Sequence, residues 1–316
     1  MVRFLPPQLA RLVTLGLQAR VHQEGLAPAA VGFPNAGASQ TLGLTPADPL
    51  AVAGGPTGYR VSSRAATQMP LKKYTYGVRT AQDDRVPAPE ALQQLMEGNK
   101  RFVAGTAETW KNWSATNLEA LATYGQAPMA SVVGCADSRA PVELLFDAAP
   151  GDIFVCRNAG NTLSNAEGSI VGSLEFSINA LGVNLVVFLG HTQCGAIKGA
   201  TAKYLESLKQ KGETVPQGIL DSLLVGLSPV VAQAELELGE EANPDTIASK
   251  AVEVNVFAGI EKLLLYSEAI REKVKTGDVQ IHGAVFDIAT GEVKFLGQHP
   301  RLPLILGMSS AYKGAR

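Results

Sequence analysis

The chain is short of the residues that would place it in several common classes. It has three cysteines in 316 residues, Cys135, Cys156 and Cys194. Three is a poor basis for a disulfide framework and fits a reducing compartment better. Charged residues make up 18% and the net charge is −2, so no polybasic surface for nucleic acid is evident. No apolar run approaches the ~18 residues of a membrane span. Four histidines are too few to mark a site by number alone. Past residue 80 there is neither an internal repeat nor a low-complexity tract.

Acidic residues are also scarce at one end. Residues 1–79 hold eight Lys and Arg against Glu24 and Asp48, a net +6 that leaves −8 for the rest. Stretches such as "GLAPAAVGFPNAGAS" cannot bury enough periodic apolar surface to offset their ordering entropy. A basic, acid-poor leader of this kind reads as an organelle-targeting segment over residues 1–80, followed by one catalytic domain over 81–316. "FLPPQLARLVTLGLQAR", basic and without serine, leans mitochondrial, while "VSSRAATQ" suits a chloroplast equally well. A cytoplasmic chain with a disordered tail is the alternative.

What is present is apolar residues, 46% of the chain, enough for one large core. "APEALQQLMEGNKRFVAG" (88–105) predicts a helix with Leu92, Leu95, Met96, Phe102 and Val103 near one stripe. "MASVVG" (129–134), "DIFVC" (152–156) and "NLVVFLG" (184–190) predict buried strands. Helices are expected over 142–148, 166–182 and 195–210, one more beyond 210, and a single long one over 245–277. "VQIHGAVFDIATGEVKFLG" predicts a hairpin around Thr290-Gly291. The fold class is α/β, a central largely parallel sheet flanked by helices. Sites in such sheets form at the carboxyl ends of strands. Cys135 ends one strand, and His191 with Cys194 ends another, so these points are expected to meet.

Cys135, His191 and Cys194 form a Cys2His set, and two thiolates with one imidazole suit Zn2+ and neutralise it. Three protein ligands leave a place for water, which zinc acidifies to a pKa near ~7. Asp137 can accept a hydrogen from that water or bind the metal in a closed state, and Arg139 can hold Asp137 ionised by a bidentate pair. Cys156 reads as a packed core residue. His22 falls in the leader, His282 reads as packed in a strand and His299 as an exposed loop residue.

"CADSR" together with "GHTQCGAIKGA", with "PGDIFVCRNAGN" between them, resembles the β-class carbonic anhydrases over about residues 88–297. The resemblance implies zinc on Cys135, His191 and Cys194, and an Asp137–Arg139 dyad. It implies that Gln126 hydrogen-bonds bicarbonate and that Phe154 lines the CO2 pocket, with Phe176 where plant members have tyrosine. Arg157 and Glu175 match buried positions supporting the site. Val132 stands where bicarbonate-inhibited members carry tryptophan, which favours the plant-like, open form. The implied function is reversible hydration of CO2 to bicarbonate and a proton by a homo-oligomer, a dimer or tetramer, with no nucleic acid and no membrane span. The rival readings are hydrolysis of carbonyl sulfide or carbon disulfide on the same fold and, more remotely, a non-catalytic zinc-binding scaffold.

Overall fold

A computed structural model describes Tyr74 and residues 77–163, 168–209, 216–239 and 241–307. "FLPPQLARLVTLGLQAR", "VSSRAATQ" and His22 lie outside the described residues.

Five strands form one sheet in the order β2-β1-β3-β4-β5. They are β1 (Ala130–Cys135), β2 (Ile153–Asn158), β3 (Leu185–His191), β4 (Gln280–Phe286) and β5 (Val293–Gly297). The first four run parallel, and β5 returns antiparallel on β4. β1 and β3 are buried along their whole length, which is why "ASVVGC" and "LVVFLGH" read as unbroken apolar runs. Side chains alternate between faces. Val132, Val187 and Leu189 pack toward α1 (Ala88–Val103), while Val133, Val186 and Phe188 pack toward α4 (Ser169–Asn179) and α8 (Pro244–Tyr266). Burial of one such Leu or Phe contributes about 1.5–3 kcal/mol. Gly190 lets α8 lie close to β3: a Cβ there would sit 2.9 Å from Val252 and Val256.

The sheet and its helices match the expected fold class, and several details differ. On α1, Leu95 is fully buried but Met96 and Val103 are exposed, so the core-facing stripe is narrower than the sequence suggests. The helix expected over 142–148 is only α3 (Val142–Leu145). It stops because Asp147 takes a φ of +45° and gives its carboxylate to the backbone N–H groups of Glu108 and Thr109 and to Arg101. An unexpected helix, α2 (Ala115–Tyr124), is capped by Ser114, whose side chain accepts from the Asn117 N–H, and ends at Gly125. Past α5 (Gly195–Lys209) the single expected helix is two, α6 (Ile219–Gly226) and α7 (Ser228–Leu238). Residues 219–238 have the length and hydropathy of a span, yet they are broken at Leu227 into pieces of 8 and 11 residues.

The long helix expected over 245–277 breaks into α8 and α9 (Glu268–Thr276). Ser267 is extended, at φ −109° and ψ 105°, and its hydroxyl accepts from the Ile270 N–H as an N-cap. α10 (Leu302–Leu306) closes the described chain. His299, read as exposed, is 6% exposed: its ring stands edge-on to Phe257 at 5.4 Å and its Nδ1 accepts from the Arg301 N–H.

The packed unit also begins earlier than composition suggests. Val78, Arg79 and Thr80 are buried, so a boundary at 80 cuts through anchored chain. Arg79 was counted among the leader's positive charges, but it belongs to the core.

Candidate metal centre

The parallel register sets the site. Gly134 pairs with Leu189, so Cys135 and His191, the last residues of β1 and β3, emerge side by side from adjacent central strands. Cys194 follows in the turn before α5, where Gln193 takes a φ of +59°. The two sulfurs and a histidine nitrogen lie within 4.8 Å of one another, and all three residues are buried. Cys135 and Cys194 belong to one apolar cluster with Ile197, Leu227, Val231 and Val252.

Hydrogen bonds around the cluster leave one atom open. His191 Nδ1 lies 2.9 Å from the Thr192 carbonyl, which can only accept, so Nδ1 carries the hydrogen. The Thr192 backbone is held in turn by its N–H to Phe286 O at 2.9 Å and by its hydroxyl, which accepts from the Ile288 N–H. Nε2 is then a buried lone pair with no hydrogen-bond partner, a state that costs about 1–3 kcal/mol unless a ligand relieves it. Cys135 Sγ accepts from the Gly160 N–H at 3.3 Å. Gly160 can offer that N–H from a φ of +75°, and its own carbonyl accepts from Asn255 Nδ2 at 2.9 Å. The neighbouring Cys194 lowers the Cys135 pKa and is itself raised, so the charge of the pair rests on Cys135. Two thiol sulfurs and an orphaned imidazole nitrogen converging in an apolar pocket fit Zn2+.

Asp137 and Arg139 pair at the rim. Arg139 Nε reaches Asp137 Oδ1 at 2.9 Å and Nη2 reaches Oδ2 at 2.6 Å, while the Arg139 backbone N–H donates to Oδ1 at 2.9 Å. Arg139 Nη2 also donates to Gln193 O at 3.2 Å, joining the two ligand-bearing turns. The Arg139 hydrogen bonds hold the Asp137 carboxyl well below the usual carboxylate range. Asp137 Oδ2 stands 3.9 Å from His191 Nε2. Arg157 donates from Nε to Cys135 O at 2.7 Å and from Nη2 to Asp137 O at 2.6 Å, so it braces the backbone of both. It does so as an exposed side chain, where a buried one was expected.

Four other expected residues lie elsewhere in the chain. Phe154 pairs with Ser131, four residues along β1 from Cys135, which is about 13 Å. It packs on Phe176 of α4 with ring centroids 6.3 Å apart, and Phe176 is 53% exposed. Gln126 precedes β1, at the end of the strand opposite Cys135 and about 17 Å or more away. Thus none of the three lines the metal pocket of its own chain: strand register, invisible in a motif, decides the distance. Glu175 accepts from the Ser267 hydroxyl at the α8–α9 break and does not support the metal cluster in this chain. Cys156 is buried in the core below α4, and burial pushes its thiol up to about 11. His282 is partly buried in β4, with Nε2 3.2 Å from Gln280 Oε1. Sequence reasoning missed Thr192, Gly160 and Asn255. The first two sit inside the quoted motifs; Asn255 carries no signal beyond being a polar residue in an apolar helix.

The family model described as carbonic anhydrase matches residues 130–293, which contain all three candidate ligands, Asp137 and Arg139. The carbonic anhydrase of Mycolicibacterium smegmatis is 35% identical over 204 residues, 65% of this chain and 91% of that protein. Carbonic anhydrase 2 of Mycobacterium tuberculosis is 33% identical over 201 residues, 64% of this chain and 89% of that protein. The solved β-carbonic anhydrase CafA of Aspergillus fumigatus is 28% identical with a TM-score of 0.50, covering 68% of this chain and 96% of that one. The chain belongs to the carbonic anhydrase family, in its β class. It is a zinc-dependent enzyme of reversible CO2 hydration. These matches lend no support to a carbonyl sulfide or carbon disulfide hydrolase, or to a scaffold.

Proposed function

We propose that Cys135, His191 and Cys194 hold the zinc, that Asp137 and Arg139 form the catalytic dyad, and that a second copy of the chain completes the substrate pocket. The observation that carries the metal assignment is the buried, unpartnered His191 Nε2 facing two thiols. Zinc, when bound, supplies the Lewis acidity that lets water ionise near neutral pH. The chain's own groups do the rest. Cys135 and Cys194 offset the metal's charge, and the apolar wall excludes competing water. Asp137 stays ionised and accepts a hydrogen at its carboxylate, and Arg139 and Arg157 keep it aimed. Asp137 lies outside the three-residue ligand cluster, which supports an open site over a closed, Asp137-ligated one.

The second copy follows from placement. Gln126, Phe154 and Phe176 match the family's substrate-binding residues, yet they lie at the amino end and open edge of the sheet, far from their own chain's ligands. A two-fold dimer that sets this edge over the partner's strand ends brings each group to the other's metal. Residues ahead of Tyr74 are read as a leader directing the chain to a chloroplast or mitochondrion, with the catalytic domain running from about 74.

Shared sites have a distinctive test. Differently tagged His191→Ala and Gln126→Ala chains are co-expressed, and the mixed dimer is purified through both tags. A mixed dimer has one intact composite site, so CO2 hydration should recover to roughly half of wild type. If both groups act within one chain, no site is intact and no recovery is seen.

A further inference from the structure

Arg79 is among the largest fully buried side chains of the molecule, at 2% exposure. Buried arginines are usually paired with carboxylates. This one is spent on backbone carbonyls: Nε donates to Ala127 O and Nη2 to Asp84 O, each at 2.7 Å. The guanidinium carbon also lies 5.5 Å over the Tyr74 ring. The segment around Arg79 makes a second contact of the same kind, from Ala81 N–H to Tyr124 O at 3.2 Å. Beyond the loop, Met129 N–H donates to Asp152 O at 2.8 Å, the first rung of the sheet side.

These three bonds bracket Gly125, Gln126, Ala127 and Pro128. Tyr124 is pinned before Gln126, Ala127 immediately after it, and Met129 at the entry to β1. Gln126 itself is exposed, and no described residue hydrogen-bonds its amide. The loop is therefore fixed at its backbone while one polar side chain is left free to point outward. A loop that presents a substrate-binding amide has to be held in position by its surroundings, and the buried Arg79 supplies that support here.

We propose that Arg79 is a positioning residue for Gln126, fixing the loop from which that amide reaches bicarbonate in the neighbouring copy. This rests on the reading of Gln126 given above. It also requires that any removal of the leader spare Arg79, so a chain trimmed to residue 81 would lose the clamp.

A double-mutant cycle in the full chain tests this, with Gln126→Ala, Arg79→Met and their combination compared at equal zinc content and equal oligomer size. Gln126→Ala should lower kcat/KM for bicarbonate dehydration by roughly tenfold or more, the scale of one hydrogen bond to a charged group. Arg79→Met should lower it by a similar factor, and the double variant should be no worse than the worse single one. Arg79→Lys keeps a donor for one carbonyl and should fall between wild type and Arg79→Met. If Arg79→Met does not fold, the same cycle run with Arg79→Lys decides. Wild-type kinetics in the Arg79 variant beside an impaired Gln126→Ala would overturn the proposal alone. So would losses that multiply in the double variant, since a merely structural arginine acts independently of Gln126. Wild-type kinetics in Gln126→Ala would overturn the reading of Gln126 and the proposal together.

Discussion

The two ends of the central sheet put their buried polar groups to different uses. At the carboxyl end, the fold satisfies one nitrogen of His191 and leaves the other buried and bare beside two thiols. At the amino end, Arg79 is just as deeply buried, but its Nε and Nη2 each donate to a backbone carbonyl. Asp152, 6% exposed, accepts from the Ala149 N–H at Oδ2 and leaves Oδ1 buried without a hydrogen-bond partner. Desolvation is the cost in both places. Zinc, when bound, relieves it at His191; backbone carbonyls relieve it at Arg79 and fix a loop in doing so, whereas Asp152 Oδ1 has no such relief. Asp152 Oδ1 and Asn161 Nδ2 are buried without a partner too, so what marks the ligand site is the convergence of two thiol sulfurs on the bare His191 nitrogen, within 4.8 Å.

Substitutions at the two ends should separate these roles. The largest effect belongs to Asp137→Asn, which should keep zinc at the wild-type level and lose CO2 hydration by roughly 100-fold or more, because a positioned proton acceptor is removed while the ligands stay. Metal analysis beside stopped-flow kinetics reads both quantities, and a fully active, zinc-loaded variant would end the dyad assignment.

A smaller effect is expected at the other end. Burial raises the Asp152 carboxyl to about 6, against ~3.9 in an unfolded chain. The folded state therefore holds a proton that the unfolded state has lost. That contribution to stability is complete below about pH 4 and disappears as pH rises through about 6, a difference on the order of 3 kcal/mol. Asp152→Asn should flatten that fall, seen as a smaller drop in the urea midpoint between about pH 4.5 and 7.5, with kcat of the folded enzyme unchanged. An unaltered slope would mean that Asp152 does not titrate in this range.

Most of the carboxyl end was legible in the sequence. The unbroken runs of β1 and β3 announced central parallel strands, and the rule that sites form at strand ends brought Cys135 to His191 across 56 residues. The hairpin was visible in Thr290-Gly291. What the sequence hid depends on contacts between distant segments. Ser267 ends one helix and caps the next in a stretch whose apolar period runs straight through. His299 is buried by Phe257, 42 positions earlier, and nothing local to "GQHPR" signals it. Arg79 looked like one more leader charge because composition cannot distinguish a solvated arginine from one enclosed by carbonyls. Gln126, Phe154 and Phe176 were grouped with the metal because a motif records residue type and order, whereas register and strand direction set where those residues stand.

The most direct measurement is stopped-flow CO2 hydration by the full chain from about pH 6.5 to 9, with zinc quantified, before and after chelation and after zinc is restored. Fast hydration already present near pH 7, lost with the metal and regained with it, is the predicted result. A zinc-loaded protein without hydration anywhere in that range, or a zinc-free protein that keeps it, would contradict the account.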